Sequence, residues 1–378
     1  MNIKILDSWL REYLKTKATP FEIGEKLSLT SLSVEKVEKL DNDFAYEMEV
    51  TTNRPDLFSV LGIAKETAAV LPQFGIEAKY IPPKLTNNQI KNKFPIEIVN
   101  DSKLVNRILA VVMEVEIGQS PKEIKKALEV SGIRSLNNVI DVTNYVARVI
   151  GHPTHVFDFD RLNTKRLLIR EAKAGEKITT LDSNNYTLLG REIVAVNDRD
   201  QIVDLLGVMG LENSVVTKNS KRILYFIDNN EPRHIREASM NLGIRTDAAV
   251  LNEKGIDPKL AMEAMLYGIS LFEKTAKGKQ ISEILDIYPN KPILKNIDVS
   301  LEKINKIIGV NIDAKKAMEI LENLDFKTTL KKDLIEVKVP SQRLNDVQIE
   351  EDIIEEIARV YGYDNLLTGF STWWQYLL

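Results

Sequence analysis

Apolar positions recur at helical spacing early in the chain, at Trp9, Leu10, Tyr13 and Leu14, and again over 20–28, where Pro20 suits the first turn of a helix. Tyr46-Glu47-Met48-Glu49-Val50 alternates as a strand does, the turn cluster Thr51 to Asp56 follows, and helical spacing returns over 60–71. Pro82-Pro83 and the Asn- and Lys-rich residues up to 93 read as a linker. Beyond it 106–116 predicts a strand, and Ser120-Pro121-Lys122-Glu123 has the form of a capping box for a helix reaching Val130. Short apolar runs at 167–170, 193–196, 202–209 and 223–227, each set off by turn residues, predict many short strands. Near Ile297 the rhythm changes to helices over 301–308, closed by Gly309, and 313–324, then a strand over 334–339 and a long helix over 347–361. The fold class expected is multidomain α+β. Its parts are an N-terminal α/β module over 1–85, a large central domain over 95–290, a winged-helix-like module over 293–367 and an atypical tail over 368–378.

Composition narrows the chemistry. Of 378 residues 44% are hydrophobic and 28% charged, as in an ordinary globular chain. The absence of cysteine removes disulfides, thiolate metal sites and cysteine nucleophiles together, leaving oxygen ligands and the imidazoles of His152, His155 and His234. With a net charge of −4, any nucleic acid must be met by a local basic patch. Asp7 interrupts the N-terminus before an apolar stretch of signal-peptide length forms, and no run approaches the ~18 apolar residues of a spanning helix, so a cytoplasmic chain with no membrane partner is expected.

Three local patterns stand out. Asp352, Glu355 and Glu356 share one face of the last helix, with Asp346 just upstream; such oxygen ligands suit magnesium. They equally form a solvated face opposite Ile349, Ile353, Ile357 and Val360, with Arg359 neutralising part of the charge. Asn53-Arg54-Pro55-Asp56 reads as a turn in which Asp56 caps the next helix, and Arg54 could pair instead with a phosphate or a carboxylate. Gly207-Val208-Met209-Gly210 reads as a tight turn after an apolar run.

Four strings, taken in order, carry a family resemblance. They are Val50-Thr-Thr-Asn-Arg-Pro-Asp56; Asn138-Val-Ile-Asp-Val-Thr-Asn-Tyr-Val146 with Gly151-His-Pro-Thr-His-Val-Phe-Asp158; Gly243-Ile-Arg-Thr-Asp-Ala-Ala249; and Glu350-Glu-Asp-Ile-Ile-Glu-Glu-Ile-Ala-Arg-Val-Tyr-Gly-Tyr363. Together they resemble the beta subunit of phenylalanyl-tRNA synthetase, over about residues 3 to 367. The family's oligonucleotide-binding-fold insertion is missing between the helix near Leu29 and the strand near Tyr46. The catalytic-like and anticodon-binding domains that follow Tyr363 in the family are missing too, and the tail fits nothing in it, which suggests a truncated product or a fragment.

The resemblance implies a beta subunit of phenylalanine-tRNA ligase partnered by an alpha subunit. That alpha subunit would perform the charging chemistry on phenylalanine, ATP and the phenylalanine tRNA, since this chain has no Gly-rich phosphate loop. The central domain would edit mischarged tyrosyl-tRNA. By resemblance His155, Thr143 and Asn144 carry the hydrolysis, Gly207 and Gly210 form one wall of the pocket, Thr246 and Ala248 the other, and Asp346, Asp352, Glu355 and Glu356 bind Mg2+. The family's glutamate that reads the tyrosine hydroxyl is replaced by Phe226, which would plug the pocket and weaken selectivity. A free-standing misacylated-tRNA deacylase and a non-catalytic nucleic-acid-binding remnant are the alternatives.

Overall fold

The computed structural model describes residues 2–85 and 90–365, so the tail at 368–378 lies outside the described residues. Two compact units emerge, one joining 1–82 to 292–378 and one spanning 83–291. The N- and C-terminal modules, separate in the sequence reading, thus share a unit.

In the first unit a three-stranded antiparallel sheet places Asp43–Glu49 between Asn2–Leu6 and Ser33–Leu40. Helix Pro20–Thr30 starts at a capping box made by Thr19 and Glu22, with Pro20 in its first turn. The helical spacing at Trp9 to Leu14 is realised only over Asp7–Arg11; Leu14–Thr16 turns into a strand paired with Ala78–Tyr80. Trp9, Leu10 and Tyr46 are fully enclosed, and the Tyr46 hydroxyl donates to Asp7 at 2.5 Å. The C-terminal segment has helices Leu301–Ile308, Ala314–Asn323 and Glu350–Tyr361 and a sheet with Leu334–Lys338 between Asn296–Ser300 and Lys327–Lys331. Its core joins Val299, Ile304, Ile320, Ile335, Ile353 and Ile357, with Ala69 of helix Val60–Val70 among them.

In the second unit two sheets enclose the core. One runs in the order Met209–Gly210, Ile202–Leu205, Ile193–Val196, Arg166–Glu171, Glu97–Val99. The other is Lys279–Gln280, Val105–Glu114, Arg222–Asn230, His155–Asp158, and its two long middle strands are almost wholly buried, so one apolar run serves both faces. Phe157, Leu224 and Phe226 from this sheet join Ile169, Val194 and Leu205 from the first in a single core. Helix Leu260–Thr275 packs on the strand: Tyr225 donates its hydroxyl to the Ala264 carbonyl at 3.0 Å, and a Cβ on Gly268 would stand only 2.3 Å from that hydroxyl oxygen. Helix Asn138–Ile150 is capped by Asn137 and ended by Gly151 in the left-handed conformation. The expected capping box at Ser120 is not formed. Helix Lys122–Val130 starts at Pro121 without a side-chain cap, and the hydroxyls of Ser120 and Ser135 donate to Asp141 instead.

Candidate active site

The second unit contains a cavity of about 590 Å³, within the ~300–1,000 Å³ usual for small-ligand sites. Segments from separate parts of the chain line it. Helix Asn138–Ile150 presents Thr143 and Asn144, the start of strand His155–Asp158 presents His155, and helix Asp247–Asn252 with its cap presents Thr246 and Ala248. Val208 and Met209 close one side, and Ile140, Val156, Leu211 and Leu251 make much of the remaining wall apolar. Hydrogen bonds set this geometry. Thr246 donates to the Val208 carbonyl at 2.5 Å and accepts from Ala249 N at 3.1 Å, which ties the helix start to the 207–210 turn. Thr143 donates to the Ile140 carbonyl at 2.7 Å, and Thr154 donates to the Thr143 carbonyl at 3.2 Å. Arg148, also on the wall, donates to Asp247 at 2.5 Å.

His155 faces this cavity with its side chain 27% exposed, while the protein around it disfavours an imidazolium and pushes its pKa down to about 4. At neutral pH the ring is therefore uncharged and has a lone pair free to accept a proton. His152 is likewise pushed down to about 4 by burial, but its Nδ1 sits 2.8 Å from the Pro153 carbonyl and the ring is fully enclosed, a structural position. His234 lies between Glu231 at 2.9 Å and Glu171 at 3.2 Å, away from the cavity lining.

Three expected pocket residues, Phe226, Gly207 and Gly210, are not on the cavity lining. Phe226 pairs with His155 across the sheet but is 1% exposed and belongs to the core, its ring 5.7 Å from and edge-on to Phe157. It packs behind the histidine and does not plug the cavity. Gly207, at φ +69°, also stands outside the lining, and a Cβ there would fall 2.6 Å from Asn230 Nδ2. Gly210 acts through His155: a Cβ would meet the ring Cε1 at 2.7 Å, so glycine is what lets the imidazole lie against this turn.

Sequence reasoning missed a buried acid. Asp204 sits opposite Gly210 in the sheet, 4% exposed, with Oδ1 unpartnered and 4.0 Å from His155 Nε2. Burial first, and then the charge of Asp228, push its carboxyl well above the usual range; Asp228 is itself raised by burial to about 6, against the amide of Asn230 donating at 2.5 Å. The signal available was one acid inside the apolar run Ile202-Val-Asp-Leu-Leu206.

The acidic helix of the first unit turns its buried carboxylate to arginines. Asp346 accepts from Arg343 Nε at 2.9 Å, and Glu356 takes a bidentate pair from Arg343 at 2.8 and 3.0 Å and another from Arg359 at 2.5 and 3.0 Å. Asp352 caps its own helix, accepting from Gln348 N at 2.6 Å and Ile349 N at 3.0 Å, while Glu355 is exposed. No group of three or more metal-ligating side chains converges among the described residues. Of the four carboxylates expected to bind magnesium, the two buried ones, Asp346 and Glu356, are held by arginines in this structure. Asp56 is not the helix cap expected. It pairs with Arg54 at 2.8 and 3.0 Å, and Ser59 caps helix Val60–Val70. Arg54 and Arg359 both reach Glu66, which completes a buried ion network.

A B3/4 domain model matches residues 105–277 and a tRNA synthetase B5 domain model matches 297–363. The phenylalanine–tRNA ligase beta subunits of Carboxydothermus hydrogenoformans and Clostridium tetani are each 37% identical to it, over 92% and 90% of this chain. The chain is thus similar to phenylalanine–tRNA ligase beta subunits, and it spans 43% of the length of each of those two relatives. A crystal structure of an N-terminal fragment of the phenylalanyl-tRNA synthetase beta subunit from Pyrococcus horikoshii is 15% identical, with a TM-score of 0.53 over 96% of this chain and all of that one, a likeness of fold. Among the described residues no helix is long and apolar enough to cross a membrane.

Proposed function

We propose that this chain acts as a phenylalanine-tRNA ligase beta subunit, and that its central cavity hydrolyses the ester of a misacylated tRNA. In this reading an alpha subunit carries out ATP-dependent charging with phenylalanine, and the winged-helix-like segment near 297–363 helps position the tRNA. The observation that carries the hydrolytic reading is the convergence of Thr143, Asn144, His155, Thr246 and Ala248, from two stretches distant in sequence, on one cavity with apolar walls. Such a site suits an aromatic aminoacyl group, with apolar surface for the ring and a few polar groups at the ester.

The chemistry balances without a metal. Neutral His155 accepts a proton from a water as its oxygen attacks the ester carbonyl, and the amide of Asn144, on the same lining, donates to the oxyanion that forms. Collapse breaks the bond to the tRNA's terminal ribose oxygen, which leaves with the proton returned by the imidazolium. The low pKa of His155 favours this order, since its neutral form is the resting state. Release of free amino acid from preformed tyrosyl-tRNA by the purified chain, with loss of that activity in His155→Ala, is the test.

A further inference from the structure

Asp204 lies 4.0 Å from the His155 ring, and no hydrogen bond accounts for the oxygen that faces it. Asp204 and Gly210 are directly opposed on adjacent strands. Gly210 leaves the gap through which the imidazole reaches inward, because a Cβ there would press on Cε1 at 2.7 Å. The oxygen of Asp204 that lies 4.0 Å from His155 Nε2 is the one left unpartnered, on a side chain 4% exposed. A buried polar atom without a partner is costly, and native interiors leave few. The charge of Asp228 acts on Asp204, and Asn230 donates to Asp228 at 2.5 Å while its own Oδ1 is also buried and unpartnered.

We propose that Asp204 is a positioning residue for His155: its carboxyl engages Nε2 across the Gly210 gap and fixes which ring nitrogen carries the proton. The inference rests on the hydrolytic reading of the cavity for its purpose, though not for its geometry. At 4.0 Å the two groups are a short side-chain adjustment from a hydrogen bond. The unpartnered Oδ1 of Asp204 accepts and Nε2–H donates, an arrangement open to either protonation state of the acid. The proton of the neutral ring then resides on Nε2, and the lone pair of Nδ1 stays free to accept a proton. A carboxyl that accepts from a histidine in this way holds the ring in one orientation and one tautomer, a control that residues behind a ligating or catalytic imidazole commonly supply.

The test reads the tautomer directly. The chain has three histidines, so histidine-selective nitrogen-15 labelling gives few signals, and the His155 signals are identified by their loss in His155→Ala. The parent is expected to show the Nε2–H form at neutral pH. Asp204→Asn keeps an acceptor and should retain that form; Asp204→Leu removes it and should shift the population toward Nδ1–H, with His152 unchanged as the internal reference. Gly210→Ala, which pushes the ring off Asp204 while leaving the acid in place, should shift the population in the same direction. An Nδ1–H form in the parent, or a tautomer that does not respond to Asp204→Leu and Gly210→Ala, overturns the proposal. Because no substrate enters this measurement, it stands whether or not tyrosyl-tRNA is hydrolysed. Where hydrolysis is observed, Asp204→Leu should lower it about 10-fold or more, and Asp204→Asn should restore most of the loss.

Discussion

Arg359 donates to Glu66 at 2.5 Å although 293 residues separate them in the chain. The same guanidinium holds Glu356 one turn back on its own helix, Arg343 holds Glu356 from another side, and Arg54 reaches Glu66. Two of the strings that carry the family resemblance, Asn53-Arg-Pro-Asp56 and the acidic helix Glu350–Tyr361, therefore meet in one buried ion network. Removing one member leaves an uncompensated charge in the interior, which is far more costly than the net value of the pair.

Arg359→Leu should therefore destabilise the first unit by about 3–5 kcal/mol. Urea denaturation of the full chain, followed by amide exchange in helix Glu350–Tyr361, checks this. The double variant Glu66→Leu with Arg359→Leu should lose much less than the sum of the single losses, and strict additivity would show that the pair is not coupled.

The two units should respond to pH in opposite directions. Glu66 is held down to about 2 by Arg359 and Arg54, which outweigh its burial, so its contribution is present above the ordinary glutamate range and is lost as pH falls through about 2. Asp228 is raised to about 6 by burial, so its contribution is full below the ordinary aspartate range and is lost as pH rises through about 6. Amide exchange on the full chain should show strand Arg222–Asn230 better protected near pH 4.5 than near pH 8, and Asp228→Asn should flatten that difference. The same pH dependence in Asp228→Asn would remove Asp228 as its source.

Magnesium should not raise the melting temperature of the chain beyond what sodium achieves at matched ionic strength, because the buried carboxylates already have arginine partners. A saturable, magnesium-specific gain that disappears in Asp352→Asn with Glu356→Gln would show that the arginines yield to the ion.

Much of this architecture was legible in the sequence, and the failures share a cause. Helix Leu301–Ile308 announced itself through its spacing and Gly309, and Pro20 marked the start of its helix. Strand Lys327–Lys331 did not, because Lys-Thr-Thr-Leu-Lys is an edge strand with most side chains exposed and no alternation to read. Spacing along one helix showed that Asp352, Glu355 and Glu356 share a face; it could not show that Arg343, from a separate turn, closes over Glu356. Likewise the aligned position of Phe226 said which strand it occupies, while sheet register put its ring into the core behind His155. Partner choice across distant segments is a tertiary property.

Phe226→Glu should consequently lose stability rather than gain tyrosine selectivity. The change deletes an enclosed aromatic ring, for which truncation alone costs about 3–5 kcal/mol, and adds a buried carboxyl with no cationic partner. Thermal denaturation measures the loss. A stable variant with faster hydrolysis of tyrosyl-tRNA relative to phenylalanyl-tRNA would place the residue in the cavity after all.

The hydrolytic reading is tested most directly by following the release of labelled tyrosine from preformed tyrosyl-tRNA for phenylalanine, with the purified chain and no ATP. Release should exceed the spontaneous rate and fall by about 100-fold or more in His155→Ala, in line with the loss of a proton acceptor, with the melting temperature little changed. Release no faster than in buffer, or equal release by the parent and His155→Ala, would contradict the account.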